Sequence, residues 1–234
     1  MSGESVSFDY GKNRFTARIE RRHRRTLSIE VLPDCSIQAM APLDVSEEEL
    51  IKRLRKRARW IKRQLVFFEQ FQPRTPERQY VGGETHLYLG RQYRLKLEAA
   101  DRSSVKLKGG YFHIACKGGD MGLAERLLWG WYRGRADVVF RERLGDCMRG
   151  FKGHEVPRLV IKRLEKRWGS LAPSGVLTLN LDLIRASVDC IDYVVVHELC
   201  HLERPYHDRA FIRLLSSKLG DWRVRKRKLE LRLS

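Results

Sequence analysis

Apolar and polar side chains alternate along residues 14–41, in two runs that are separated by Pro33-Asp34. A period of two is typical of strands with one buried face, and the Pro-Asp pair marks a turn between them. The pattern therefore predicts a hairpin or meander of strands. A helix is predicted to follow over 46–71, because Ser46 and Glu49 form a capping box and apolar residues then recur at helical spacing.

The rest of the chain continues to alternate between strand and helix patterns. Short alternating segments punctuated by glycines predict more strands over 80–116, and helical spacing predicts a long helix over 121–148, bent at Gly130 and Gly134. A strand and a hairpin are predicted within 158–184. Three further helices are predicted over 188–204, over 208–219 and from 221 onward.

This order of elements predicts an α+β fold. The sequence shows no internal repeat and no low-complexity linker, so we place the domain boundary where the pattern changes, at Gly118-Gly119. Residues 1–117 are expected to form an N-terminal β-rich α+β region with one long helix. Residues 118–234 are expected to form a second domain, in which helices lie beside a small antiparallel sheet.

The composition is that of a globular protein, with 42% hydrophobic residues and no apolar run long enough to cross a membrane. The first residues lack the basic and apolar regions of a secretory signal, so we expect a cytoplasmic protein with no membrane contact. The five cysteines are scattered and form no CxxC pair. They indicate buried thiols rather than disulfides or a cysteine-rich metal site.

Positive charge is in large excess, with 47 Lys and Arg against 29 Asp and Glu and a formal net charge of +18. Such an excess attracts polyanions, which makes nucleic acid a candidate partner; solubility or an acidic protein partner are the alternatives. The second of three basic runs contains Trp60, which favours a groove that follows a nucleic-acid backbone. The runs cover residues 18–25, 52–63 and 223–228.

Candidate chemistry is concentrated in the segment HELCHLERPYH, residues 197–207. His197 and His201 are four residues apart, so on a helix they point within about 40° of each other and can bind one ion. Glu198 lies about 60° further round the helix, where it can approach a metal-bound water without being a ligand. This is the arrangement of HExxH zinc hydrolases, and we predict zinc as the cofactor.

A catalytic zinc site needs a third protein ligand and leaves its fourth position open. His207 is the best candidate, because Pro205 disfavours continued helix and lets the chain turn back toward the ion. Asp208 is an alternative of a kind less usual on zinc, whereas Glu203 would point about 200° away from His201. Cys200 is expected to be a packing residue.

The spacing of the three histidines equals that of the metzincins, HExxHxxGxxH. Arg204 stands where those proteins have glycine, and no methionine follows His207 to form their Met-turn. These two differences indicate another class of zinc hydrolase.

The segments KRWGSLAPSGVLTLNLDLI, IDYVVVHELCHLERPYHDRAFIRLL and DWRVRKRKLE resemble the YgjP-like zinc metallopeptidase family, which is related to the SprT-like proteases. The resemblance extends to RRHRRTLSIEV and ARWIKRQL near the N-terminus. It implies a minimal zincin-type catalytic domain, in which His197, His201 and His207 hold the metal and Glu198 is the catalytic base. The sequence departs from the family pattern in two places: Leu171 replaces a cysteine, and the segment 208–212, DRAFI, replaces Ser-Pro-x-Phe-Trp.

We therefore expect metal-assisted hydrolysis of a peptide bond in a polypeptide substrate, with Glu198 as general base. Arg167 and Tyr206 are candidates for contacts to the oxyanion or the substrate. Hydrolysis of a phosphoester or a nucleotide pyrophosphate is one alternative, because zinc hydroxide beside arginines can attack phosphorus. A nucleic-acid binding protein with a structural zinc is the other.

Overall fold

In the computed structural model, residues 4–32, 34–69, 78–117, 120–165 and 167–233 are described. The chain divides into two compact units, Met1–Pro76 and Glu77–Leu233. Both contain strands and helices, which confirms the α+β prediction. No helix among the described residues is long and apolar enough to cross a membrane.

The described residues of the first unit form one four-stranded sheet and one helix. The strand order is β1-β2-β4-β3, with antiparallel outer pairs and a parallel central pair. Helix α1 packs on the sheet through Leu50, Leu54, Ala58 and Ile61, all fully buried. The elements are β1 Ser5–Tyr10, β2 Asn13–Arg22, β3 Ser28–Val31, β4 Ile37–Pro42 and α1 Glu47–Glu69.

These elements follow the predicted pattern, with one addition. Strand β1 was not predicted, although Val6 and Phe8 alternate with polar residues and are buried. The predicted turn between β3 and β4 includes Pro33, which lies outside the described residues, as do positions 70 and 71 at the predicted end of α1.

The second unit begins with a sheet of the same topology, again followed by a helix. The strand order is β5-β6-β8-β7, and the outer pairs are again antiparallel around a parallel central pair. The chain therefore contains a structural repeat of four strands and a helix, which the sequence did not reveal. The elements are β5 Thr85–Tyr88, β6 Arg91–Ala99, β7 Ser104–Lys108, β8 Tyr111–Cys116 and α2 Met121–Met148.

A third sheet and three helices complete the second unit. The sheet order is β10-β11-β9; β10 and β11 are antiparallel, whereas β9 and β11 are parallel. The small sheet is therefore mixed rather than antiparallel. After the edge strand β9 the chain crosses to the opposite edge to form β10, and it then turns back to form the central strand β11. The elements are β9 Arg158–Lys162, β10 Gly169–Leu171, β11 Val176–Asn180, a 3-10 helix Leu181–Arg185, α3 Val188–Cys200, α4 Arg209–Lys218 and α5 Trp222–Leu233.

The boundary between the units differs from the expected one at 117/118. Strands β5–β8 share one hydrophobic core with α2 and α3, in which Leu95 and Phe112 belong to the same cluster as Leu128 and Val195. The second sheet is thus part of the unit that contains the HELCH segment. A boundary based on the strand-to-helix change overlooked this shared core, and Gly118-Gly119 lies outside the described residues.

The turn between β5 and β6 packs directly against the start of α3. The N–H groups of Leu89 and Gly90 donate to the carbonyls of Ile184 and Arg185 at 3.0 and 3.1 Å. Gly90 has φ +78°, and a Cβ atom at this position would lie 2.7 Å from Cβ of Ser187. Only glycine satisfies both the backbone conformation and the close approach.

We predict that Gly90→Ala destabilises the protein more than Gly83→Ala. Gly83 also has a positive φ, +87°, but a Cβ there would meet nothing within 4 Å. The control should therefore cost only the left-handed backbone penalty of about 1–2 kcal/mol. Gly90→Ala should exceed it by at least about 1 kcal/mol, because the turn must also move away from Ser187. Denaturant unfolding measures both variants, and equal free energies of unfolding would contradict this packing.

Candidate metal centre

Helix α3 carries the first two histidines and is buried on nearly all sides. Ile191, Val195 and Leu199 are fully buried on one face, and Val194 is 3% exposed on the histidine side. The apolar sequence of the helix therefore allows it to run through the core, with the histidines at the end that reaches a cleft.

The regular helix ends earlier than the expected position 204. It stops at Cys200, and His201 is the C-cap with helical backbone angles of φ −70° and ψ −13°. The chain then tightens, since the N–H groups of Leu202 and Glu203 donate to carbonyls three residues back. His201 still follows His197 by one turn, and their ring centroids are 5.4 Å apart.

His207 is brought back to the other two histidines by the start of α4. Asp208 is the N-cap of this helix, and its carboxylate accepts from the N–H of Phe211 at 2.8 Å. Nε2 of His207 lies 2.9 Å from Nε2 of His197. One potential ligand atom from each of the three histidines lies within 4.8 Å of the others.

His197 and His207 fit a metal ion in both spacing and protonation. The distance of 2.9 Å is within a few tenths of an ångström of the about 3.3 Å that separates two nitrogens on a tetrahedral zinc. Burial and the neighbouring histidines lower the pKa of His197 to about 4, and burial lowers the pKa of His207. Both rings are therefore neutral near pH 7, as metal ligands must be.

A backbone contact orients His201. Its Nδ1 lies 3.0 Å from the carbonyl oxygen of Arg204, to which the ring donates when Nδ1 carries the proton. That tautomer leaves the Nε2 lone pair available for an ion.

Phe211 forms an apolar wall behind all three rings, and the sequence reasoning did not assign it to the site. The side chain is fully buried, and its ring centroid lies 4.6 to 5.0 Å from those of the histidines. The signal was present, because Phe211 keeps the aromatic residue of the family pattern within residues 208–212.

Glu198 lies beside the cluster and is only 7% exposed. Burial raises the pKa of its carboxyl to about 7, although a hydrogen bond from the Leu171 N–H and the charge of Arg167 act in the opposite direction. Strand β10 approaches this carboxyl closely. A Cβ on Gly169 would lie 3.0 Å from Cγ of Glu198, so a larger residue there would require the Glu198 side chain to shift.

A cleft of about 750 Å³ contains the histidine cluster. Strand β10 is at the edge of its sheet and forms part of the cleft wall. The described lining residues are Arg167, Trp168, Gly169, Ser170, Leu171, Ala172, Pro173, Gly175, Tyr193, Val194, His197, Glu198, His201, Leu202, Pro205 and His207.

The remaining candidates fall in different places. Arg167 lines the cleft, whereas Tyr206 is 80% exposed and is not among the described residues of the cleft wall. Cys200 is fully buried away from the histidine cluster, and burial raises the pKa of its thiol to about 12. Leu171 contacts Glu198 through its backbone, so replacement of the family's cysteine preserves that contact.

Comparison with known proteins identifies the family. The family model described as YgjP-like, metallopeptidase domain matches residues 25–232. The chain belongs to the YgjP-like family. This confirms the resemblance noted in the sequence and makes the chain a metallopeptidase-like hydrolase, for which a divalent metal ion is expected. No curated protein matches the chain.

Two solved structures of metallopeptidase zymogens show limited similarity to this YgjP-like chain. Abylysin of Pyrococcus abyssi is 21% identical with a TM-score of 0.34, and the match covers 38% of this chain and 87% of abylysin. Jannalysin of Methanocaldococcus jannaschii is 17% identical with a TM-score of 0.35, and the match covers 39% of this chain and 86% of jannalysin.

We predict that the wild-type protein binds one equivalent of zinc and that His207→Ala weakens this binding at least tenfold, because the third ligand is lost. His154→Ala is the control, since His154 is exposed and lies outside the cluster. Titration with a competing zinc indicator measures both affinities. Equal affinity in the two variants would remove His207 from the ligand set.

Proposed function

We propose that this chain is a zinc-dependent peptidase that binds its polypeptide substrate as an added strand along β10. The observation that carries the proposal is the position of this edge strand in the cleft wall, beside the three histidines and Glu198. Among the described strands, β10 pairs only with β11, on one side. An extended peptide can pair on the other side with the backbone of Gly169 and the carbonyl of Leu171, whereas the Leu171 N–H already donates to Glu198.

The register supports this arrangement. The backbone N–H of Ala172 donates to the carbonyl of Val176, and the backbone N–H of Asn180 donates to the carbonyl of Trp168. In an antiparallel ladder, every second residue of a strand directs its N–H and C=O toward the partner strand. Trp168 and Ala172 bond to β11 in this way, so Gly169 and Leu171 direct their backbone groups away from β11. The N–H of Leu171 indeed reaches Glu198, which lies on that side.

Asn180 holds the segment that leads into this edge. It is 3% exposed, and its side-chain amide donates to the carbonyls of Leu164 and Arg167 at 2.7 and 3.1 Å. Because buried polar groups must be paired, these bonds fix the loop before β10. They support a preformed position for both Arg167 and the strand.

The residues of the chain supply the proton transfers. A zinc ion held by the three histidines would polarise the scissile carbonyl and lower the pKa of water. Glu198, with a pKa raised to about 7, accepts a proton from the attacking water and delivers it to the leaving amine. Arg167, at the cleft, is proposed to contact the substrate near the reacting carbonyl; a role for Tyr206 stays a prediction.

The two alternatives have weaker support. Arg167 is the one Lys or Arg side chain among the described lining residues, whereas phosphoryl groups usually require several positive or N–H donors. A structural zinc usually has four protein ligands, and the described cluster contains three histidines. The open position beside Glu198 therefore favours catalysis.

We predict that Glu198→Gln retains zinc but loses about 10²–10⁴-fold in kcat on unstructured protein substrates, because the general base is removed. Glu203→Gln is the matched control, since Glu203 is exposed and only five residues away. Cleavage is measured by the appearance of new N-termini, and nucleotides are tested in parallel. Undiminished peptide cleavage in Glu198→Gln would refute the proposed mechanism.

A further inference from the structure

We propose that the outer face of α1 is a binding surface for the phosphate backbone of nucleic acid. The basic stripe, defined as Lys52, Lys56, Arg59 and Arg63, lies within an arc of about 60° on this helix. All four side chains are exposed, and they lie opposite the buried face of α1. The proposal goes beyond peptide hydrolysis and does not depend on it.

Most of the basic stripe has no acidic partner among the described residues. Lys52 lies 3.9 Å from Glu49, whereas Lys56, Arg59 and Arg63 form no salt bridge to any residue that the structure describes. Helix α1 has acidic residues in its first turn, and none lies between positions 50 and 68. The exposed face therefore presents positive charge without interspersed negative charge.

This arrangement is unfavourable for the helix itself. Consecutive members of the basic stripe are three or four residues apart, and like charges at that spacing repel each other. A charged face that serves solubility alone usually mixes both signs. An external polyanion would relieve the repulsion, which gives the charge distribution a physical reason.

The other basic runs differ from the basic stripe in their ion pairs. On α5, Arg225 pairs with Asp221 at 2.9 Å, and Lys228 pairs with Asp189 at 2.9 Å. On β2, Arg21 pairs with Glu4 at 2.8 Å. Much of the charge of those runs is thus already used in holding the fold together.

The structural repeat provides an internal comparison. Helix α2 holds the corresponding position after the second sheet, and it packs against both that sheet and α3. The buried residues Leu50, Leu54 and Ala58 of α1 match Ala124, Leu128 and Tyr132 of α2 in spacing. The basic stripe then corresponds to an exposed face of α2 that carries charges of both signs, formed by Arg126, Gly130, Arg133 and Asp137. The two helices therefore differ in the charge of this exposed face, which on α1 is positive alone.

Nucleic acid fits this surface better than an anionic membrane does. The basic stripe rises by about 17 Å along the helix axis, which corresponds to about five phosphates of one duplex strand. An amphipathic membrane helix needs exposed apolar residues beside its charges. On α1, Leu50, Leu54, Ala58 and Ile61 are instead fully buried, and Trp60 packs on the core of its own unit. Val66, 54% exposed, is the one large apolar side chain that the described part of this helix exposes, which is too little for insertion into a membrane.

The test compares two variants of the full chain with equal net charge. The first, K52Q/K56Q/R59Q/R63Q, removes the basic stripe; the second, R91Q/R94Q/K106Q/K108Q, removes two exposed lysines and two exposed arginines from β6 and β7. Glutamine retains helix propensity, and circular dichroism confirms folding. Binding of a fluorescent 25-base-pair DNA duplex is measured by anisotropy at several salt concentrations. This measurement does not depend on peptide hydrolysis.

We expect the first variant to lose at least tenfold in affinity and about 3–4 in the slope of log K against log salt, as four phosphate contacts are removed. The matched variant should stay within about threefold of wild type. An equal loss in both variants would reduce the effect to net charge and overturn the proposal. Tighter binding to phosphatidylserine vesicles than to DNA, or wild-type binding by the first variant, would also overturn it.

Discussion

Three imidazole rings converge at one point of this structure, with ligand nitrogens within 4.8 Å of one another. Burial lowers the pKa of His197 and of His207, so these rings are held together as neutral groups whose nitrogens a shared metal ion can bind. The protein holds this convergence by packing α3 into the core and reversing the chain between Cys200 and Asp208. The cleft, the position of Glu198 and the edge of β10 are all defined around this point.

Several elements stabilise that reversal and the helix that leads into it. Asp208 caps α4, and Phe211 then packs against all three rings. At the other end of α3, the β5–β6 turn contacts the start of the helix at Ser187. The second sheet is therefore part of the structure that positions the site, which explains why it shares a core with the catalytic helices.

Local features of the sequence predicted much of this arrangement. The spacing of His197 and His201 and the break at Pro205 led to the three-histidine cluster, because each is a rule about neighbouring residues. Helix α2 was predicted with the bounds that the structure has, since its apolar spacing is continuous. The α+β class followed from the order of the elements.

Other features depend on contacts between distant residues and could not be predicted in this way. The approach of Gly169 to Glu198 joins two segments nearly thirty residues apart in the sequence. The shared topology of the two sheets is a property of strand order, which periodicity does not report. The unit boundary was misplaced for the same reason, since only packing reveals that β5–β8 belong with α3.

The proposed function requires that the histidine cluster and Glu198 act together in the hydrolysis of peptide bonds. The most direct test digests an unstructured protein in H₂¹⁸O with the zinc-loaded enzyme and analyses the products by mass spectrometry. We expect new C-termini that carry ¹⁸O. These products should disappear when a chelator removes the metal and no zinc is added back. Absence of peptide cleavage, together with ¹⁸O in phosphate released from nucleotides, would contradict the proposed function.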